Sequence, residues 1–373
     1  MDLIADVYIA GEYPYGNYRI PSTLLTVNGT LLAFAEARKE LNDHAENKIV
    51  LKRSLDAGKT WSELQKVADA GRDSLNNPLA VQDSGSGKII LMYQHYPFTK
   101  QDEVKDPGIW KSHADQRFPP NIHEAAVQEG YEGDKICRTF MISSEDDGAT
   151  WTAPLDLTRA LKRPQKVTSY AGGPGIGIQV KNGKHKGRII MPFSHGPWSD
   201  MKVYTVYSDD QGGTWKRGQT VPSGLTGMPN EVQMVELKDG RIMLNARPFK
   251  GKPFRMVSFS RDGGDSWSEL NYDGALPDPD CQGSIIRLAF PGPDHKSIIL
   301  FSNPAHHQKR INGTIRLSED EGKTWKWSRT LYKGSFAYSC LVKLTNDEFG
   351  ILFERDDYSK ISYCKMKLKW LTS

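Results

Sequence analysis

The amino-acid sequence predicts an all-β fold, a six-bladed β-propeller of four-stranded antiparallel blades forming one domain over residues 1–373. Three observations lead there. An octapeptide of the form S-x-D-x-G-x-[ST]-W occurs five times, a short β-rich run occurs six times, and no segment of useful length carries a helical period.

The octapeptides are SLDAGKTW from Ser54, SEDDGATW from Ser144, SDDQGGTW from Ser208, SRDGGDSW from Ser260 and SEDEGKTW from Ser318. Each reads as a turn. The Ser and Asp side chains hydrogen-bond nearby amides, the Gly takes a left-handed conformation, and the Trp covers the turn with apolar area. Asp56, Asp146, Asp210, Asp262 and Asp320 are therefore assigned to the scaffold, because five equivalent copies serve a repeated architecture and not a single catalytic centre.

The β-rich runs are GTLLAFAEAR, GKIILMYQHY, GRIIMPFSH, GRIMLNARP, KSIILFSNP and FGILFER, with Leu31, Ile89, Ile189, Ile242, Ile298 and Ile351 as reference positions. Successive references lie roughly 55 residues apart, the size of a four-stranded blade, except between Ile89 and Ile189. The surplus falls in a polar stretch and predicts a long loop insertion at about 97–136, in the second blade, that helps wall a site.

This repeat places unusual residues. In an antiparallel blade the start of the first strand and the end of the second share one end. With the β-rich runs as second strands, Arg19, Glu231 and Tyr338 start first strands, while Arg38, Asp43, Arg247 and Arg310 follow the ends of second strands. All seven are predicted on one face of the disk, with the octapeptide turns on the other. Taken singly, an Arg is most often a solvated or ion-paired surface group, and a Tyr most often packing. Three arginines from blades far apart in sequence instead surround one planar carboxylate with charge-assisted hydrogen bonds. A sugar bearing a carboxylate suits such a site.

Other classes are disfavoured. A balance of 49 basic against 45 acidic residues gives a net charge of +4, too little to indicate a nucleic-acid partner, and no apolar run approaches the length of a membrane span. Cys137, Cys281, Cys340 and Cys364 show neither metal-ligand spacing nor a disulfide framework, and no HExxH or GxSxG occurs. His44, His306 and His307 read as loop residues. AGGPGIGIQV, around Gly173, lacks a nucleotide-binding register and has Pro174 inside it. The N-terminal MDLIADVYIAGEYP carries acids where a signal peptide needs bases, which fits a cytoplasmic protein or a secreted one whose signal has been removed.

The ordered set YRIP at Tyr18 to Pro21, AFAEAR ending at Arg38 with Asp43 beyond it, the five octapeptides, NEVQMVEL from Asn230, NAR ending at Arg247, FSNPA with Arg310 downstream, AYS around Tyr338 and FER with Glu354 resembles the sialidase (neuraminidase) superfamily, specifically its non-viral exo-sialidases. The resemblance spans nearly the whole chain. It implies that Arg19, Arg247 and Arg310 clamp the sialic acid carboxylate, that Glu354 orients Arg19, and that Arg38 lies beside the sugar. By the same resemblance Tyr338 is the nucleophile, Glu231 its base partner, and Asp43 the general acid and then base. A structural ion pair at Arg38 or Glu354 is compatible with these roles.

The implied activity is retaining hydrolysis of terminal α-linked sialic acids from glycoproteins, glycolipids and oligosaccharides through a tyrosine-linked intermediate, by a monomer needing no metal or other cofactor. A trans-sialidase, an intramolecular trans-sialidase and a KDN-preferring enzyme share the same residue set. A sialic-acid-binding propeller lectin would keep the arginines but has no need of Tyr338, Glu231 and Asp43.

Overall fold

The six β-rich runs each form a strand: Leu31–Arg38, Ile89–Tyr96, Ile189–His195, Ile242–Gly251, Ile298–Pro304 and Glu348–Arg355. Every residue of Leu31–Arg38 is buried. Neighbouring sheets cover both of its faces, so such a strand reads as a continuous apolar run without alternation. The structure is a computed structural model and describes residues 3–97, 128–163, 167, 170–197, 200–224, 227–293 and 296–373. Most of the loop expected at about 97–136 lies outside the described residues.

The described strands form five sheets. Asn17–Leu25, Leu31–Arg38, Lys48–Ser54 and Gln65–Ala68 make a four-stranded antiparallel meander. Gly227–Glu236, Ile242–Gly251, Phe254–Ser260 and Asn271–Pro277 make another. Two sheets have five strands, centred on Ile89–Tyr96 and Ile189–His195. The last has seven because the 17-residue strand Trp327–Lys343 serves two units: Trp327 to Ser335 pair with Ile311–Ser318, and Phe336 to Lys343 pair with Glu348–Arg355. Leu3–Ile9 pairs antiparallel with Lys360–Lys367, so the two ends of the chain share a sheet. Asp6 adds ion pairs across this seam, to Arg355 at 2.6 Å and to Lys360 at 2.8 Å.

Uniform four-stranded units are departed from where AGGPG occurs. Glycines and a proline in sequence cannot sustain a ladder, and the segment breaks into Tyr170–Gly172, Gly175–Ile176 and Ile178–Gln179. Gly175–Ile176 crosses to pair in parallel with Leu79 and Ala80 of the neighbouring sheet.

Each octapeptide begins on the last residue of a third strand, at Ser54, Ser144, Ser208, Ser260 or Ser318. In all five the Ser Oγ donates to the Asp Oδ1 at 2.7–2.8 Å and accepts the Gly amide at 2.8 Å. The hydroxyl before the Trp donates to the Asp Oδ2 at 2.5–2.7 Å. The turn needs two left-handed residues in succession, such as Ala57 at φ 59° and Gly58 at φ 91°.

The octapeptides also join units. Trp61 packs with Leu352 and Tyr363, Trp151 with Leu32 and Phe34, Trp215 with Leu79 and Ile90, Trp267 with Ile190 and Val203, and Trp325 with Val235 and Met243. Four of the five reach the unit before their own, and Trp61, in the first unit, reaches the last. The glycines make the same approach: a Cβ on Gly58 would stand 2.1 Å from the Tyr363 ring. Gly58→Ala therefore combines left-handed strain with a clash, and urea unfolding is expected to show a loss of about 2–4 kcal/mol.

Candidate active site

The first strands carry a shared interruption. Strand register shifts between Arg19 and Ser22, between Asn76 and Leu79, between Pro229 and Val232, and between Phe336 and Ser339. Pro21, Pro78 and Pro229 supply no ladder amide there. Ile20 and Asn77 adopt φ 59° and 53°, a region a β-branched residue occupies only when its surroundings hold it. Bulges re-aim side chains, and these four turn Arg19, Asn76, Glu231 and Tyr338 toward one end of the disk.

Two buried carboxylates hold the bulges. Glu354 accepts the Ile20 amide at 2.8 Å and the Tyr338 amide at 3.1 Å, and Glu36 accepts the Asn77 amide at 2.6 Å. Both are fully buried. Each also fixes an arginine. Arg19 donates to the two oxygens of Glu354 at 2.8 and 3.1 Å, and Arg38 donates to Glu36 Oε2 from Nε at 2.8 Å. Arg38 Nη1 reaches Asp43 Oδ1 at 2.8 Å, while Asn47 and Asn76 donate to the Asp43 carbonyl at 2.6 and 2.7 Å.

Around Tyr338 the contacts are closer still. Its hydroxyl donates to Glu231 Oε1 and accepts from Arg247 Nη1 at 2.9 Å; the same Nη1 stands 2.6 Å from Glu231 Oε2. Arg247 Nε donates to Asp280 at 2.6 Å. Arg310 donates to the Asp280 carbonyl at 2.9 Å and to the Tyr358 hydroxyl at 3.1 Å. The Arg19 and Arg310 guanidiniums lie 5.1 and 5.6 Å from the centre of the Tyr338 ring.

The electrostatics differ between the two acidic centres. Burial, and then the Glu231 carboxylate, push the Tyr338 phenol well above its ordinary range; Arg247 and Arg310 oppose this only in part. The resting phenol is neutral and carries its proton toward Glu231. Burial would raise Asp43 as well, but Arg38, Arg19 and His44 outweigh it and hold the carboxyl below the usual range. Resting Asp43 is an anion.

A family model described as BNR repeat-like domain matches residues 29–351. A sialidase of Micromonospora viridifaciens is 33% identical over 380 residues, covering 98% of this chain and 54% of that protein. The chain belongs to the sialidase superfamily. A Bacteroides fragilis sialidase is 27% identical, with 96% of this chain and 64% of that protein covered. The solved structure of the Hadza microbial sialidase Hz136 superposes with a TM-score of 0.82 at 26% identity, over 99% of this chain and 69% of its own. The chain thus spans roughly half to two thirds of the length of these two sequence relatives.

All eight residues singled out in this sialidase-family sequence meet at one end of the disk. Arg38 and Glu354 are occupied by ion pairs, and Glu354, with no exposed surface, acts on the site only through Arg19 and the two amides. Three further residues complete the cluster. Glu36 had a legible signal, an acid two residues before Arg38 in a strand that is otherwise apolar up to that point. Asp280 and Tyr358 had none, since each sits in a polar turn. Asp356, Asp357 and Tyr358 are three consecutive left-handed residues at φ 52°, 51° and 68°, a costly turn that sets the Tyr358 ring 4.2 Å from Arg19.

Proposed function

We propose that the chain is an exo-α-sialidase that hydrolyses terminal α-sialosides with retention, and that its sheets form six blades of four antiparallel strands once Trp327–Lys343 is divided at its register shift. The observation that carries the activity is the triangle of Tyr338, Glu231 and Arg247, flanked by Arg19 and Arg310. The three arginines take the sugar carboxylate, which places the anomeric carbon over the phenol. An attacking Asp or Glu would bring negative charge against that carboxylate, and a neutral phenol avoids the repulsion.

Because Tyr338 rests protonated, its activation is a proton transfer to Glu231 as the bond to carbon forms. Arg247 donates to both partners and stabilises the charge wherever it resides along that transfer. Asp43 must arrive protonated to assist the departing oxygen. A bound sugar carboxylate engages Arg19, one of the two arginines that hold Asp43 low, and the sugar excludes water around the Asp43 carboxyl, which together raise its proton affinity in the complex. Water activated by Asp43 then releases the sugar from Tyr338. The substrates are sialylated glycoproteins, glycolipids and oligosaccharides, and the enzyme acts as a monomer. NMR of the released sugar tests this reading: α-sialic acid as the first product supports it, and an anhydro sugar would replace hydrolysis by intramolecular transfer.

Glu36 enters as a positioning residue. It balances Arg38, and its loss leaves that guanidinium acting on Asp43 alone. Glu36→Gln is expected to move the alkaline limb of the kcat profile, which reports Asp43 in the substrate complex, to lower pH, because a less compensated Arg38 depresses Asp43 further. An unshifted limb with reduced rate would make Glu36 a purely structural support.

A further inference from the structure

The inner strands do not end at the site. Leu24 follows Arg19, Met234 follows Glu231 and Val342 follows Tyr338 by three to five residues, which at about 3.3 Å per residue carries the chain roughly 10–16 Å toward the octapeptide face. The AGGPG segment lies across the space between. Gln233 Nε2 donates to the carbonyls of Gly173 and Pro174, both at 3.2 Å, and Gln282 Nε2 donates to Pro174 at 3.2 Å. Ser22 Oγ donates to the Gly175 carbonyl at 2.7 Å. Gly173 admits no side chain, since a Cβ would stand 2.0 Å from the Val232 carbonyl oxygen. The segment thus plugs the middle of the disk and divides its central space in two.

Beyond the plug lies a cavity of about 360 Å³ with apolar walls, among them Leu24, Ile176, Met234, Ile286, Phe290 and Val342. Those walls come mostly from strands of several sheets. Lys181 and Lys343 also line this cavity. The Lys181 ammonium donates to Ser84 and Gln179, and that of Lys343 to Asn346. Among the described residues neither meets a carboxylate. Glu236 and Arg287 line the cavity too but are committed elsewhere: Glu236 accepts the amides of Lys181 and Asn182, and Arg287 is paired with Glu321 at 2.6 Å.

We propose that this cavity is a second binding site, for an amphiphilic anion consisting of an alkyl chain capped by a carboxylate, with the chain against the apolar walls and the carboxylate between Lys181 and Lys343. The size falls within the range of small-molecule sites, and the combination of apolar walls with a few charges fixes both ends of such a ligand. Burial and then the charge of Lys181 lower the pKa of Lys343, a repulsion that an intervening anion relieves. The site stands apart from the arginine cluster and does not depend on the sialidase reading.

Decanoate is the probe, added to the full chain below its micellar concentration and followed by calorimetry and thermal unfolding. One-to-one binding is expected, unaffected by saturating N-acetylneuraminic acid and weakened about tenfold or more in the double variant Lys181→Ala/Lys343→Ala. Both lysines keep exposed surface and neither forms an ion pair among the described residues, so that variant should keep the parent Tm without ligand. Ile286→Trp fills the cavity and should abolish binding while sialoside turnover persists. Absence of decanoate binding up to about 1 mM, equal binding by the double variant, or displacement by the sugar acid would each overturn the assignment.

Discussion

Tyr338→Phe is expected to lower kcat for an aryl sialoside about a thousandfold or more while leaving the protein folded. The substitution removes one oxygen. The ring stays beside the guanidiniums of Arg19 and Arg310, and the backbone amide keeps its bond to Glu354. Arg247 and Glu231 lose a shared partner but remain 2.6 Å from each other, so the stability cost is about 1 kcal/mol. Steady-state turnover of a fluorogenic aryl sialoside beside thermal unfolding separates the two effects. A variant retaining more than about a tenth of the parent rate would remove Tyr338 as the nucleophile. In the parent, mass spectrometry of acid-quenched turnover should locate a sugar adduct on the Tyr338 peptide.

Asp43→Ala should divide substrates by leaving group. General acid assistance contributes about 10²–10⁴-fold, and a poor leaving group needs all of it. An alkyl sialoside, including a natural oligosaccharide, is therefore expected to lose about a thousandfold, whereas an aryl sialoside with an acidic phenol loses far less in the first step. Release of the sugar from Tyr338 still requires activated water, so the aryl substrate should show a burst followed by slow turnover. Equal losses for both substrates without a burst would assign Asp43 to holding Arg38. The carboxylate is ion-paired with that residue at 2.8 Å and is 37% exposed, open to an incoming ligand.

Much of this arrangement was legible from spacing. A repeat of similar units made equivalent positions share a face, and that carried Arg19, Arg247 and Arg310 to one end without coordinates. The octapeptide hydrogen bonds followed from the chemistry of Ser, Asp and Gly in a tight turn. Their second task did not: each Trp covers another unit, a contact between segments distant in sequence. Nor did the sequence show that burial and Glu231 outweigh Arg247 and Arg310 at Tyr338 and leave the resting hydroxyl neutral.

Local chemistry therefore determined what recurs: the strands, the octapeptide turns and the face on which the charged residues gather. Tertiary structure decided what happens where units meet. The bulges that aim Arg19, Glu231 and Tyr338, the buried acids Glu36 and Glu354 that collect the freed amides, and the AGGPG plug that splits the central space all arise between blades. Their physical reason is the need to satisfy buried polar backbone where strand ladders break, a demand created only when separate sheets converge on one axis.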